Sequence, residues 1–156
     1  MITYVRGNIF DSKAGLLVNP VNCVGVMGAG LALQFKQRFP EMFQDYKTLC
    51  NKSEIQPGKP IFLTMKQGIV HPLPHICLFP TKNHWKNSSL IIDIEMGLDS
   101  FRKYQDGNQY MSDYIRHKSA AFPKLGCGLG GLSWEKVKPL MEHYLGNLDM
   151  EIEIYV

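Results

Sequence analysis

The chain has 156 residues, of which 45% are hydrophobic and 20% are charged, a composition that excludes a disordered protein and suits one globular domain. Its 17 basic and 14 acidic residues leave a net charge of +3, which permits an anionic ligand without marking a strong nucleic-acid footprint. The N-terminus has no signal-peptide pattern and no stretch approaches the length of a membrane span, so we expect a cytoplasmic protein without membrane contact.

Strands and helices alternate along the predicted structure. In the first half, apolar patterning predicts strands over residues 2–6, 15–22, 61–65 and 76–79 and helices over 31–39 and about 41–51. In the second half it predicts a helix over about 90–104 capped by Ser88 or Ser89, a strand over 119–122, a helix capped by Ser133 and stopped by Gly146, and a strand over 150–156. Residues 106–116 fit either a helix or a surface loop. The alternation predicts a sheet with helices on both sides.

A glycine-rich segment follows the second predicted strand. Residues 18–40, VNPVNCVGVMGAGLALQFKQRFP, run from a buried-strand pattern through a glycine-rich turn into an amphipathic helix. Gly25, Gly28 and Gly30 let the backbone come close to a ligand, and the start of the helix offers unpaired N–H groups to an anion. Such a turn also serves simply to pack a helix on a sheet, and its spacing matches neither G-x-G-x-x-G nor the Walker motif. We expect a phosphate-bearing ligand held in another way.

A second glycine-rich segment, KLGCGLGG over residues 124–131, also leads from a buried strand into a helix. Ligands of open α/β sheets bind outside the carboxyl ends of the strands. Two such loops therefore indicate one diphosphate held from opposite sides.

The four cysteines are scattered without C-x-x-C pairing, which argues against a zinc site and against a disulfide framework. Two of them, Cys23 and Cys127, lie in the glycine-rich loops. No histidine is placed by the sequence to activate either thiol, so we favour packing over a nucleophilic role. We expect neither a metal nor a cofactor.

The paired loops, VNCVGVMGAGLALQF and FPKLGCGLGGLSW, resemble those of the macrodomains, a family of ADP-ribose-binding modules. Within that family, residues 21–28 together with FPTKNHW over residues 79–85 are similar to the DarG-type DNA ADP-ribosyl glycohydrolases, antitoxins that oppose a DNA ADP-ribosyltransferase toxin. The resemblance implies a single macrodomain over residues 1–156, with a three-layer α/β/α fold and a mostly parallel mixed central sheet. It also implies ADP-ribose across the top of the sheet, with its diphosphate between the two loops.

The resemblance further implies a hydrolase that removes ADP-ribose from thymidine in single-stranded DNA and so reverses the action of the toxin. The lysine of the FPTK motif is regarded as catalytic in the family, and that position is Lys82 in this sequence. Asn22 is the second candidate catalytic residue. The expected ligand-binding residues are Asn8, Ile9, Val26, Met27, Gly28, Ala29, Gly30, Leu31, Gly126, Cys127, Gly128, Leu129, Gly130 and Gly131.

The chemistry of Lys82 leaves three roles open. A lysine with a lowered pKa attacks the anomeric carbon of an opened ribose and forms a Schiff base. An ammonium instead protonates the departing base or merely holds a phosphate. A solvated lysine in a turn is the alternative to all three.

Asn22 and Trp85 each have two interpretations, and His84 is considered with Trp85. The Asn22 amide either contacts ribose hydroxyls or stabilises a turn. His84 and Trp85 are candidates for contact with the single-stranded base, His84 by hydrogen bonding and Trp85 by stacking, although Trp85 equally suits a core anchor.

Two departures from the family pattern bear on function. Many macrodomains carry Asp where this chain has Asn8, so we expect adenine to be read by Asn8 or by the Ile9 backbone N–H. Gly130 stands where some relatives carry an acidic residue. The alternatives to DNA de-ADP-ribosylation are an ADP-ribose reader, or a hydrolase of protein-linked ADP-ribose, O-acetyl-ADP-ribose or ADP-ribose 1″-phosphate.

Overall fold

One mixed β-sheet forms the centre of the computed structural model, which describes residues 1–65, 74–107 and 117–156. Within those residues the strands are Ile2–Val5 (β1), Leu16–Val21 (β2), Ile61–Thr64 (β3), His75–Pro80 (β4), Ser119–Pro123 (β5) and Glu151–Tyr155 (β6). The strand order is β1-β6-β5-β2-β4-β3, and only the edge pair of β3 with β4 is antiparallel. The predicted mixed, mostly parallel sheet is confirmed.

Helices cover both faces of this sheet. They are Gly30–Arg38 (α1), Pro40–Asn51 (α2), Ile91–Gln105 (α3) and Trp134–Leu145 (α4), with a short 3-10 helix at Ile9–Asp11. Alternate residues of β2 point to opposite faces, so Leu16 and Val18 pack with α3 and α4 while Leu17 and Val21 pack with α1 and α2. Because both faces are buried, the sequence of β2 is mostly apolar and does not alternate, and its polar residue, Asn19, is buried as well. The three-layer α/β/α prediction is confirmed.

The predicted ends of the four α-helices and six strands agree with the structure to within one residue. The break between α1 and α2 falls at Phe39 because Pro40, the first residue of α2, has no N–H with which to continue α1. The 3-10 helix was not predicted. Its signal is Asn8, whose side chain accepts the Phe10 N–H at 3.0 Å and so caps the helix.

The predicted caps of two helices were wrong in part. Leu90, not Ser88 or Ser89, occupies the N-cap position of α3, and no side chain caps that helix. Ser89 is buried and donates its backbone N–H to the Gly130 carbonyl at 2.9 Å, so it belongs to the second glycine loop. Ser133 does precede α4 as predicted, but its hydroxyl makes no capping hydrogen bond.

Helix α3 packs unusually close to the sheet at Gly97. A Cβ added there would lie 2.4 Å from the Phe79 ring, so only glycine permits this approach.

The prediction for residues 106–116 concerns mostly residues 108–116, which lie outside the described residues. In the described part of the chain, none of the helices has the length and apolar character needed to cross a membrane.

Candidate functional site

A cavity of about 800 Å³ opens at the carboxyl ends of β2, β4 and β5. Parallel strands bring the loops that follow them to one edge of the sheet, which is where α/β folds bind ligands. Its lining comprises Pro20, Val21, Asn22, Val26, Met27, Gly28, Ala29, Gly30, Leu31, Ala32, Thr81, Lys82, Trp85, Pro123, Lys124, Gly126, Gly128, Leu129, Gly130 and Tyr155. The two glycine-rich segments and the residues after β4 therefore meet in one site, as their positions along the chain predict.

The first glycine loop ends at the exposed N-terminus of α1. Ala29 is the N-cap and its side chain makes no capping hydrogen bond, so it leaves the N–H groups of the first turn to other acceptors. Gly30 begins the helix at φ +58°, a backbone conformation that favours glycine. This end of α1 lines the cavity and carries the partial positive charge of the helix dipole.

The second glycine loop is folded tightly on itself and on Ser89. Gly126, at φ +71°, accepts the Leu132 N–H at 2.9 Å through its carbonyl. A Cβ at Gly130 would lie 2.4 Å from Ser89 Oγ and 2.5 Å from the Gly126 carbonyl oxygen. The loop therefore has no room for a side chain at Gly130, the position where the sequence departs from some macrodomains.

The two glycine loops come close to each other at the cavity. The Leu129 methyl group lies 3.4 Å from the place where a Cβ of Gly30 would stand. Leu129 is otherwise 73% exposed, so its contact with the first loop does not bury it in the core. An anion in the cavity would thus be bounded by backbone from both sides.

Asn22 is buried just after β2, and most of the hydrogen-bonding capacity of its side-chain amide is used within the protein. Its Nδ2 donates to the Val26 carbonyl at 2.8 Å, and its Oδ1 accepts the Val24 N–H at 3.0 Å and the Tyr46 hydroxyl at 2.7 Å. These bonds fix the turn, in agreement with the turn-stabilising interpretation. Among the described residues the second Nδ2 hydrogen has no acceptor, so one donor remains for a ligand.

Lys82 lies directly after β4, beside the first glycine loop. Hydrogen bonds from Thr81 N–H to the Val21 carbonyl (2.9 Å) and from Cys23 N–H to the Asn83 carbonyl (2.8 Å) continue the pairing of β2 and β4 past the strand ends. The Lys82 Nζ donates to the Trp85 carbonyl at 3.2 Å and lines the cavity. Its ammonium keeps further N–H groups for a ligand.

The residues after Lys82 form a turn at the cavity rim. His84 Nδ1 accepts the Lys86 N–H at 3.1 Å, so a neutral His84 carries its proton on Nε2. Trp85 is 50% exposed and lines the cavity, which rules out the interpretation of Trp85 as a core anchor. The His84 ring lies 5.3 Å from the Trp85 ring but is not part of the lining.

A smaller cavity of about 430 Å³ adjoins the first one at the 3-10 helix. It is lined by Asn8 and Ile9 as predicted, and the two cavities share Leu31, Pro123 and Tyr155. Because Asn8 Oδ1 already accepts the Phe10 N–H, its amide nitrogen is the part left to contact a ligand. Together the cavities form a long cleft from Asn8 to Lys82.

The structure thus brings nearly all of the expected ligand-binding residues to this cleft, but Cys127 and Gly131 are not among its lining. The Cys127 side chain packs against the core and donates weakly to the Leu125 carbonyl at 3.4 Å. Burial raises the pKa of the Cys127 thiol, and it raises the pKa of Cys23 to about 11. Both thiols are therefore poor nucleophiles at neutral pH, in line with packing roles.

Sequence reasoning missed several contributors to the site. Four further residues line the site: Thr81, Pro123, Lys124 and Tyr155. Each one ends or directly follows a strand, and this position in the sequence could have indicated that it lines the site. Tyr46 supports Asn22 from α2, and no local pattern marks it. It became a neighbour of Asn22 only through the packing of α2 on the sheet.

Comparison with known proteins identifies the family. The Macro domain family model matches residues 18–141, and the chain belongs to that family. It is 41% identical over 157 residues to a DNA ADP-ribosyl glycohydrolase of Mycobacterium tuberculosis, with 99% of this chain and 42% of that protein covered. It also resembles the solved macrodomain of Mycobacterium tuberculosis DarG, with a TM-score of 0.87, 39% identity, and coverage of 99% of this chain and 97% of the other.

A solved structure of Thermosipho africanus DarTG in complex with ADP-ribose matches with a TM-score of 0.86 and 39% identity, covering 99% of this chain and 41% of that one. The chain spans about 42% of the length of the curated DNA ADP-ribosyl glycohydrolases that it matches. The resemblance of this sequence to the DarG-type macrodomains is confirmed in both sequence and fold.

Proposed function

We propose that this chain binds ADP-ribose along the cleft, with adenine near the 3-10 helix and the distal ribose near Lys82. The diphosphate would lie between the glycine loops, where the first turn of α1 offers N–H groups and positive dipole charge. The Ile9 N–H belongs to the first turn of the 3-10 helix, and it is available to adenine together with the Asn8 amide. The Thermosipho africanus complex with ADP-ribose supports this assignment by its similarity of sequence and fold.

We further propose that the chain is a hydrolase that releases ADP-ribose from thymidine in single-stranded DNA. The observation that carries this proposal is the position of Lys82, whose Nζ is oriented by the Trp85 carbonyl at 3.2 Å within the wall of the cleft. Relatives about 40% identical over nearly the whole of this chain are DNA ADP-ribosyl glycohydrolases, which supports the same activity. Residues 1–156 would act as a single macrodomain that opposes a DNA ADP-ribosyltransferase toxin in the cytoplasm.

The reaction breaks the bond between the anomeric carbon of ribose and a thymine nitrogen. Water supplies the oxygen that joins the anomeric carbon, and a proton ends on the departing base. Lys82 contributes as an acid at that base, as a nucleophile that forms a Schiff base later hydrolysed by water, or as a cation that holds a phosphate. The remaining Asn22 N–H is available to orient a ribose hydroxyl.

A substrate panel tests the activity. Thymidine-linked ADP-ribose in a single-stranded oligonucleotide is compared with protein-linked ADP-ribose, O-acetyl-ADP-ribose and ADP-ribose 1″-phosphate, and release is followed by chromatography. We expect turnover of the DNA-linked form and a loss of about 100-fold or more in Lys82→Ala. Lys118→Ala is the matched control, because Lys118 is exposed and lies at the amino end of β5, opposite the site.

Reduction with cyanoborohydride separates a nucleophilic Lys82 from one that acts as an acid or holds a phosphate. A nucleophilic lysine is trapped as a covalent adduct with ADP-ribose, whereas an acid gives turnover without an adduct. Tight ADP-ribose binding with no release from any of the linkages would identify a reader and overturn the hydrolase proposal. Equal rates for wild type and Lys82→Ala would overturn the role of this lysine.

A further inference from the structure

The Trp85 side chain is the large aromatic surface at the rim of the cleft. It is 50% exposed and lines the cleft together with exposed residues of the first glycine loop, such as Val26 and Ala29. Single exposed apolar side chains are common on protein surfaces, but this one stands in the wall of the cleft and its backbone carbonyl bonds to Lys82. A ligand that extends past the cleft would therefore contact the indole ring.

The backbone around Trp85 is held in place. Its carbonyl accepts the Lys82 ammonium at 3.2 Å, and the Asn87 N–H donates to the His84 carbonyl at 3.0 Å across the turn. The backbone of Trp85 is therefore held close to the lysine that we place at the reacting bond. A group stacked on the indole would lie near the reacting nucleotide.

Lys86 provides a cation beside this ring. Its Nζ lies 5.1 Å from the centre of the Trp85 ring. At an exposed site such a cation–π contact changes an equilibrium by roughly two- to fivefold, whereas stacking of a nucleic-acid base on an aromatic side chain contributes roughly 5- to 150-fold. A base can therefore displace the ammonium from the ring, and the displaced ammonium remains beside the phosphate attached to that base.

We propose that Trp85 and Lys86 form a subsite for the nucleotide next to the modified thymidine. The indole stacks on the neighbouring base and the Lys86 ammonium pairs with its phosphate, while Lys124 adds positive charge at the same cavity. This inference rests on the proposed DNA-directed activity and narrows its substrate to an oligonucleotide rather than a single nucleoside. Stacking of this kind tolerates any base, so the subsite selects for strand length and not for sequence.

The test compares a thymidine-linked ADP-ribose mononucleoside with the same modification inside a five-nucleotide single strand. For the wild type we expect kcat/KM to be roughly 5- to 150-fold higher on the strand, with the difference mainly in KM. Trp85→Leu should remove most of this preference and Trp85→Phe should retain much of it, because phenylalanine keeps an aromatic face. A loss that is equal on both substrates would mean that Trp85 only supports Lys82, and would overturn the subsite.

Salt dependence tests the Lys86 contact separately. In Lys86→Gln the slope of log KM against log salt concentration on the strand should fall by about 0.7, the value for one phosphate contact on single-stranded nucleic acid. Lys118→Gln removes the same charge at the opposite edge of the sheet and should leave the slope unchanged. An unchanged slope in Lys86→Gln overturns the phosphate contact. If the wild-type enzyme releases ADP-ribose from neither substrate, the proposed function itself is overturned.

Discussion

The Tyr46 hydroxyl lies 2.7 Å from Asn22 Oδ1 and 2.9 Å from the Asn22 carbonyl oxygen, and it donates to this residue from 24 positions further along the chain. Tyr46 is fully buried in α2, and burial raises its pKa well above the usual value, so it stays a donor across the working range of pH. Asn22 Oδ1 also accepts the Val24 N–H, which leaves the amide one orientation. The side chain that we place at the ribose is thus aimed by a helix on the far side of the first glycine loop.

Tyr46→Phe tests this relationship. We expect a loss of about 1 kcal/mol in the free energy of unfolding, the usual contribution of one hydrogen bond, together with weaker ADP-ribose binding by calorimetry. Tyr144→Phe is the control, because it removes a hydroxyl that donates to Glu95 at 2.9 Å, a contact between α4 and α3. If Tyr46→Phe loses stability but binds ADP-ribose like the wild type, Asn22 does not depend on Tyr46 for its orientation.

Gly130→Ala tests the closeness of the second glycine loop to Ser89. The added methyl group meets Ser89 Oγ and the Gly126 carbonyl well inside contact distance, so overpacking should cost roughly 1–3 kcal/mol in denaturant unfolding. Gly128→Ala is a matched control, since a Cβ there meets nothing within 4 Å. The double variant Ser89→Ala with Gly130→Ala should recover only part of the loss, because the backbone carbonyl remains. Equal stability of the Gly128 and Gly130 variants would contradict this account.

His117 makes the stability of the fold depend on pH. Its Nε2 lies 2.8 Å from His75 Nδ1, and burial, with a smaller effect of His75, lowers the pKa of His117 to about 4. In the unfolded chain the same group takes up a proton near its ordinary value of about 6.5. Between these two values the unfolded state binds more protons, so the free energy of unfolding should fall as the pH is lowered from about 6.5 to about 4.

Urea unfolding at several pH values measures this effect, and His117→Gln is the comparison. The variant should show a flatter dependence on pH over the same interval, because it lacks the group that takes up the proton. Both histidines lie at the amino ends of β4 and β5, opposite the cleft. A variant curve parallel to that of the wild type would show that His117 is not the group responsible.

The sequence predicted those features of this fold that are local or periodic. The strand β2, the two glycine loops and Lys82 are contiguous patterns, and parallel strands necessarily bring their following loops to one edge of the sheet. Ser89 was misassigned as a candidate helix cap because a serine before an apolar helix fits that pattern equally well. Its N–H instead bonds to Gly130, a partner 41 positions away that only the assembled sheet brings near.

The hydrogen-bond partners of individual side chains could not be predicted from the sequence either. The sequence predicted that Asn22 is either a ribose ligand or a turn residue. Three hydrogen bonds within the protein determine which atoms of its amide remain available to a ligand. The pair joins His75, the first residue of β4, to His117, just before β5, across the position that β2 occupies between these strands in the sheet. No spacing in one sequence records such a contact, because it depends on strand order.

The ladder between β2 and β4 continues into both functional loops through the bonds of Thr81 and Cys23. The first glycine loop and the segment that carries Lys82 are therefore aligned with each other residue by residue. An insertion or deletion of one residue in either loop would break this alignment. Trp85 and Lys86 lie beyond these two bonds, so substitutions of their side chains leave the alignment of Asn22 with Lys82 in place.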